Sequence, residues 1–105
     1  MDKLLEIIKA MGIPFAYDHF EEGEAPEPPF ICYLLSDSDN FAADGKVYFK
    51  ANEVHIELYT DTKDLSVEQK VEAVLDEHGI FYDRSEVWIE SEKLYEVLYS
   101  FEMEA

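Results

Sequence analysis

Short polar residues at positions 37–40, Asp-Ser-Asp-Asn, have the composition of a calcium-binding loop. Such loops place oxygen ligands at the first, third and fifth positions and a glycine at the sixth. Counted from Asp37, the fifth and sixth positions are Phe41 and Ala42, so the fifth ligand and the glycine are both missing. The pattern therefore predicts a polar turn, and we expect no metal site.

The histidines and the single cysteine do not form a ligand set either. His19, His55 and His78 are far apart, with no i, i+4 pair, which argues against a zinc site. Cys32 lies in the apolar run Phe30–Leu35, so we expect a buried structural thiol rather than a nucleophile. A single cysteine allows no intrachain disulfide, which suits a reducing compartment.

Catalytic motifs are also missing from the sequence. Acid–base catalysis needs two carboxylates in unlike environments within a cleft. Neighbouring pairs such as Glu21/Glu22 are expected by chance in so acidic a chain, so they do not indicate a catalytic site. There is no Gly-x-Gly-x-x-Gly, Walker or Gly-x-Ser-x-Gly motif. We therefore predict a protein that is not an enzyme and has no catalytic residues and no cofactor.

Charge narrows the class of partner. The chain has 25 acidic and 8 basic residues, a formal charge of −17 at pH 7. Nucleic-acid binders use basic patches to displace counterions, so we expect no direct nucleic-acid binding. Anionic membranes are disfavoured too, and neither a membrane-spanning run nor a signal peptide is recognisable, so we expect neither membrane attachment nor secretion. The charge favours a basic protein partner, and it is equally consistent with a solubilising role alone.

The clearest element is the strand predicted over residues 53–60. Val54, Ile56 and Leu58 follow the period-2 pattern of a strand with one buried face. We place the following residues on the polar side: Glu53, His55, Glu57, Tyr59 and Thr60. A helix over 66–78 follows, with Ser66 to Gln69 as a capping box. Its predicted buried stripe consists of Val67, Val71, Val74, Leu75 and His78.

The complete set of elements predicts one α+β domain over residues 1–105. The chain is 48% hydrophobic, which is enough for an ordered core. The other predicted elements are a helix over 2–11, strands over 30–35, 46–50, 86–90 and 94–103, and loops over 21–29 and 36–45, with a hairpin turn at Ala51-Asn52. The order α-β-β-β-α-β-β predicts a mostly antiparallel sheet with both helices packed on one face.

Aromatic side chains are the main candidates for function. Tyrosine and tryptophan anchor protein–protein interfaces, and this chain has more of them than a core of this size usually hides. Tyr59, on the polar side of its strand, and Trp88, between Glu86 and Glu90, are the predicted exposed interface residues.

Several segments resemble the small tail-terminator and head–tail joining proteins of long-tailed phages and prophages. They are the run Val-His-Ile-Glu-Leu-Tyr-Thr60, the capped helix over 66–78 and the final strand ending Tyr-Ser-Phe-Glu102. Segments 39–48 and 92–99 likewise resemble proteins of prophage structural modules in Gram-positive bacteria. The resemblance covers residues 1–103 in element order and hydrophobic pattern, but the proline–glutamate loop 21–29 has no counterpart.

The resemblance implies a non-enzymatic structural protein that closes the tail tube, often as a hexameric ring, and joins it to the head. Its partners would be copies of itself, tail-tube proteins and head-completion proteins. It would be found in the host cytoplasm during assembly and then in the virion tail or neck. Ring subunits meet through sheet edges and loops, so loops 36–45 and 21–29 would be candidates for contact with neighbouring subunits or the tail tube. Phe41 and Asp44 of loop 36–45, and Glu57 beside Tyr59, join the interface candidates.

Two other functions stay open from the sequence. An acidic inhibitor that mimics nucleic acid would array its carboxylates along one continuous face and bind a nucleic-acid-binding protein in a salt-sensitive way. A generic bacterial protein-interaction module is the third reading. The phage reading differs from both because it predicts self-association through apolar and aromatic contacts.

Overall fold

The computed structural model describes residues 2–35, 39–43 and 46–104, with the side chains of residues 3–35 and 53–103. Its elements are α1 (Asp2–Ala10), β1 (Phe15–Tyr17), β2 (Phe30–Leu35), β3 (Asp39–Ala43), β4 (Lys46–Thr60), α2 (Leu65–Glu77), β5 (Asp83–Ile89) and β6 (Leu94–Glu104). The predicted α+β class is confirmed, as is the order of a helix, strands, a second helix and two final strands.

Six strands form one sheet in the order β1-β2-β4-β6-β5, and β3 pairs with β4. The β1–β2 pair is parallel, and the other four described pairs are antiparallel. The predicted mostly antiparallel sheet is therefore confirmed. β4 is the central strand, because its residues 54–59 pair with β2 and its residues 51–60 pair with β6.

One face of the sheet forms the core. Side chains alternate along a strand, so the buried residues of β4 share a face with their register partners on β6. These pairs are Val54 with Phe101, Ile56 with Tyr99, and Leu58 with Val97. Both helices supply side chains to the same buried cluster: Leu4, Ile7 and Ile8 from α1, with Met11 directly after it, and Val71, Val74 and Leu75 from α2. Each such side chain contributes about 1.5–3 kcal/mol through burial.

The start of α2 differs from the prediction. Asp64, not Ser66, is the N-cap: its Oδ1 accepts from the backbone N–H groups of Ser66 at 3.1 Å and Val67 at 3.3 Å. The Ser66 hydroxyl donates to the same oxygen at 2.7 Å. These hydrogen bonds lower the pKa of Asp64, and the bond from the Ser66 hydroxyl has the largest effect. The helix therefore begins one residue earlier than predicted, with a carboxylate at the positive end of its dipole.

The predicted hairpin turn at Ala51-Asn52 is wrong, because β4 runs unbroken from Lys46 to Thr60. β6 pairs with both residues and holds them extended. The hairpin instead joins β4 to β3, which occupies part of the predicted loop 36–45; residues 36–38, 44 and 45 of that loop lie outside the described residues. Thr60 is also corrected: it follows Leu58 by two residues, so it faces the core and is 5% exposed.

Candidate interaction surfaces

The face of the sheet opposite the core, here called the outer face, brings two of the predicted residues together. The Tyr59 hydroxyl lies 2.9 Å from Glu57 Oε1 and 3.0 Å from Glu96 Oε2. It has one hydrogen, so it donates to one carboxylate at a time. Burial raises the pKa of Glu57, the hydrogen bond from Tyr59 opposes that rise, and the charge of Glu96 adds to it. Two carboxylates, those of Glu57 and Glu96, therefore share a single hydrogen-bond donor, the Tyr59 hydroxyl.

Cys32 and the proline–glutamate loop adjoin this cluster. Cys32 is the register partner of Glu57 and is 6% exposed. Burial, followed by the charge of Glu57, raises its thiol pKa to about 11, so the group is a neutral thiol at pH 7 and a poor nucleophile. Phe20 and Phe30 flank the loop 21–29, with ring centroids 5.4 Å apart, and Phe30 stacks on Tyr59 at 5.2 Å. These rings anchor the loop beside the outer face.

Trp88 lies on the other face of the sheet from Tyr59. Its register partner is Tyr95, whose ring centroid is 4.7 Å away, whereas Tyr59 pairs with Glu96. Trp88 is 41% exposed, and its indole N–H donates to Glu90 Oε2 at 2.6 Å. The two aromatic residues predicted for an interface are therefore exposed to different degrees on opposite faces, and they do not form one patch.

Phe41 lies in β3 opposite Phe49 of β4, and Asp44 lies outside the described residues. We call residues 39–43 and 46–50 the hairpin arm. β2 pairs with β4 only from Val54 onward, and β6 only from Ala51 onward. Within the part of the chain that the structure describes, the hairpin arm is therefore two strands wide.

An ion-pair network joins α2 to β5. The buried Glu68 carboxylate lies 2.6 Å from Lys63 Nζ and 2.5 Å from Arg84 Nη2. Glu86 contacts both cations, at 2.6 Å and 3.0 Å. Burial alone would lower the pKa of Arg84, but the hydrogen bonds to Glu68 and Glu86 outweigh it and raise that pKa.

The predicted buried stripe of α2 omitted Glu68, which is buried, and included His78, which is exposed.

A groove that the sequence did not indicate lies where α2 leads into β5. It has a volume of about 580 Å³, and its lining includes Glu53, Phe81, Tyr82, Asp83 and Glu102. Phe81 is 97% exposed, more than any other large apolar residue described. In the sequence it stands in an apolar triplet, residues 80–82, directly after Gly79, and such a triplet is typical of core.

The described residues, 2–35, 39–43 and 46–104, hold neither a metal-ligating cluster nor a membrane-spanning helix. Among those residues, no group of three or more His, Cys, Asp or Glu side chains is placed to hold a metal ion. Likewise, none of the described helices combines the length and apolar character required to cross a bilayer. Comparison with known proteins gave no match, either to protein-family models or to curated proteins.

Proposed function

We propose that this chain is a non-enzymatic structural subunit of a phage or prophage virion. It terminates the tail tube or joins the tube to the head, and it acts as a ring of copies in contact with tail-tube and head-completion proteins. It assembles in the host cytoplasm and remains in the virion tail or neck. The resemblance noted in the sequence supports this proposal, and the hairpin arm is the observation that carries it.

The hairpin arm supports assembly because a two-stranded ribbon is at best marginally stable in water. Residues 46–50 of β4 have β3 as their described ladder partner, so the outer edges of the ribbon present backbone groups to another chain. A subunit that extends its arm onto the next one makes a head-to-tail contact, and such contacts form a ring when the rotation between subunits closes and a filament when it does not.

β5 supplies a matching acceptor surface. It ends the sheet order, so its outer edge is open among the described strands. It also carries Trp88, an exposed residue of the type that anchors interfaces. We therefore place the proposed subunit contact between the hairpin arm of one copy and the β5 edge of the next.

Light scattering coupled to size exclusion tests this assembly. The measurement is made at about 0.1 M and 1 M salt, because salt screens the repulsion between chains of charge −17. We expect a ring of about six subunits that grows more stable with salt. Replacing residues 41–48 with Asn-Gly, and separately Trp88→Ala, should leave monomers. The control Leu65→Ala removes an apolar side chain that is 61% exposed on α2, and it should still form rings.

Two results would reject the proposal. The first is a wild-type protein that stays monomeric at both salt concentrations, even at about millimolar protein, because ring formation should be favoured under those conditions. If the shortened-arm variant assembles as well as wild type, the arm is not the contact. Thermal unfolding of each variant shows whether the monomer is still folded.

A further inference from the structure

The Tyr59 hydroxyl lies within hydrogen-bond distance of two carboxylates but carries a single hydrogen. With both glutamates ionised, one of its two contacts brings oxygen atoms together at 2.9 or 3.0 Å with no hydrogen between them. A proton on Glu57 Oε1 supplies the missing hydrogen. The Glu57 carboxyl then donates to the Tyr59 oxygen while Tyr59 donates to Glu96, so both contacts are hydrogen bonds at once.

The surroundings of Glu57 favour this proton. Burial is the main cause that raises the pKa of Glu57, and the charges of Glu96 and Asp18 add to the rise. The hydrogen bond from Tyr59 and the charge of His55 oppose it without reversing it. The neighbouring elements contribute Asp18 after β1, the neutral thiol of Cys32 on β2, His55 and Tyr59 on β4, Glu96 on β6 and the apolar Val87 opposite Glu96 on β5.

The same tyrosine belongs to an aromatic stack that holds the proline–glutamate loop 21–29. Its ring stacks at 5.2 Å on Phe30, the residue directly after the loop. Phe30 in turn contacts Phe20, the residue directly before the loop, edge-on at 5.4 Å. Both ends of the loop are therefore tied to a ring whose hydroxyl is positioned by the two carboxylates.

We propose that Glu57, Tyr59 and Glu96 form a pH-sensitive latch, in which one proton taken up by Glu57 from solvent fastens loop 21–29 to the outer face. In the protonated state, the two simultaneous hydrogen bonds fix the Tyr59 ring against Phe30. In the ionised state, the hydroxyl bonds one carboxylate at a time, so the ring is held less firmly and the loop is released.

The direction of the switch follows from the raised pKa of Glu57. The latch is complete below about 4.3, the usual value for glutamate, and it is lost as pH rises through the raised pKa. The inference goes beyond the proposed ring, since it uses neither the hairpin arm nor Trp88. It gives a role to loop 21–29, which the proposed contact between copies does not use.

NMR titration of the ¹³C,¹⁵N-labelled protein between about pH 3 and pH 8 tests the latch. We expect the Glu57 carboxyl carbon to titrate with a midpoint above about 4.3. The Glu96 carboxyl signal and the amides of residues 20–25 should change at that same midpoint. The heteronuclear NOE of these amides should fall as pH rises through it, because the loop becomes more mobile.

Matched variants separate the latch from the general effect of acid on an acidic protein. Glu57→Gln offers an N–H to the Tyr59 oxygen at every pH, so its loop should keep the acid-state amide shifts at pH 7. Tyr59→Phe keeps the ring on Phe30 but removes the hydroxyl, so the loop should no longer follow Glu57. The control Glu92→Gln removes an exposed charge from the turn between β5 and β6, and it should titrate as wild type does. Thermal unfolding of each variant shows that it is folded.

Three results would contradict the latch. If Glu57 titrates while the Glu96 signal and the loop amides stay unchanged, no proton links them. If the loop transition persists in Glu57→Gln, the carboxylates of the loop itself cause it. If it occurs only above about 6.5 and is absent from His19→Gln, it belongs to His19, whose pKa is raised chiefly by its hydrogen bond with Asp18. Ring formation is measured separately, so failure of the latch and failure of the proposed function are distinguishable.

Discussion

The pair formed by Glu68 and Arg84 allows a quantitative test of how α2 is fixed to the sheet. Only 5% of the Glu68 side chain is exposed, compared with 34% of the Arg84 side chain. Arg84→Met leaves a buried carboxylate with Lys63 as its remaining close cation. Removing one partner of a fully buried pair costs roughly 3–5 kcal/mol, and a hydrogen bond to a charged group about 1.5–3 kcal/mol. Because Arg84 is partly solvated and Lys63 remains, we expect a loss of about 2 kcal/mol.

Replacing both groups with apolar residues should cost less than the sum of the single changes. In Glu68→Leu, the two cations keep Glu86 and some contact with water, so we expect a loss of about 1 kcal/mol. The double variant Glu68→Leu/Arg84→Met leaves no unpaired buried charge, and we expect it to lose no more than about 1 kcal/mol. The coupling free energy of the cycle is then about 2 kcal/mol.

Urea unfolding followed by circular dichroism measures the four free energies of this cycle. Arg84→Met should also lower Tm by about 8 °C, at roughly 4 °C for each kcal/mol in a domain of this length. The control cycle uses Lys93 and Glu90, whose side chains are 70% and 72% exposed, and its coupling should lie within experimental error. A coupling near zero between Glu68 and Arg84 would refute the argument that Glu68 is buried because it is paired.

Three further predictions concern single titratable groups. Burial raises the pKa of Glu57, so the folded state binds the Glu57 proton more tightly than the unfolded state does. The free energy of unfolding therefore falls as pH rises from about 4.3 through that raised pKa. Glu57→Gln should raise Tm at pH 7 but not at pH 4. The pKa of Asp64 is lowered, so its contribution is present above about 3.9 and is lost as pH falls through the lowered value. Asp64→Ala should therefore lower Tm more than Ser66→Ala at pH 7, and the difference should shrink as pH falls through the lowered pKa of Asp64. Cys32, with a pKa of about 11, should react with a thiol reagent at least about 100-fold more slowly than the unfolded chain; a fast native reaction would contradict its burial.

The predictions that succeeded rest on local patterns. The alternation of Val54, Ile56 and Leu58 is visible within a few residues, and burial of one strand face requires no knowledge of the partner strand. The burial of Cys32 also follows from its apolar neighbours alone. The helix predicted over 2–11 is similar: it corresponds to α1, whose apolar residues recur at helical spacing within a short stretch of sequence.

The predictions that failed depend on contacts between distant parts of the chain. Ala51-Asn52 has the composition of a turn, but pairing with residues 103 and 104 of β6 keeps it extended. Glu68 looks like a solvent-facing residue until Arg84, 16 residues later, is placed against it. The contact of Tyr59 with Glu96 spans 37 residues, so the sequence pattern could not show that this tyrosine is half-buried rather than free.

Salt distinguishes the proposed ring contact from an attraction between opposite charges. Ring formation brings together chains of charge −17, so shortening the Debye length from about 10 Å at 0.1 M to about 3 Å at 1 M should strengthen it. A contact held by attraction between unlike charges would weaken over the same change of salt. A salt series on one preparation therefore tests the proposed contact: if assembly weakens as salt rises, the copies are held by charge attraction and not by strand pairing between the hairpin arm and the β5 edge.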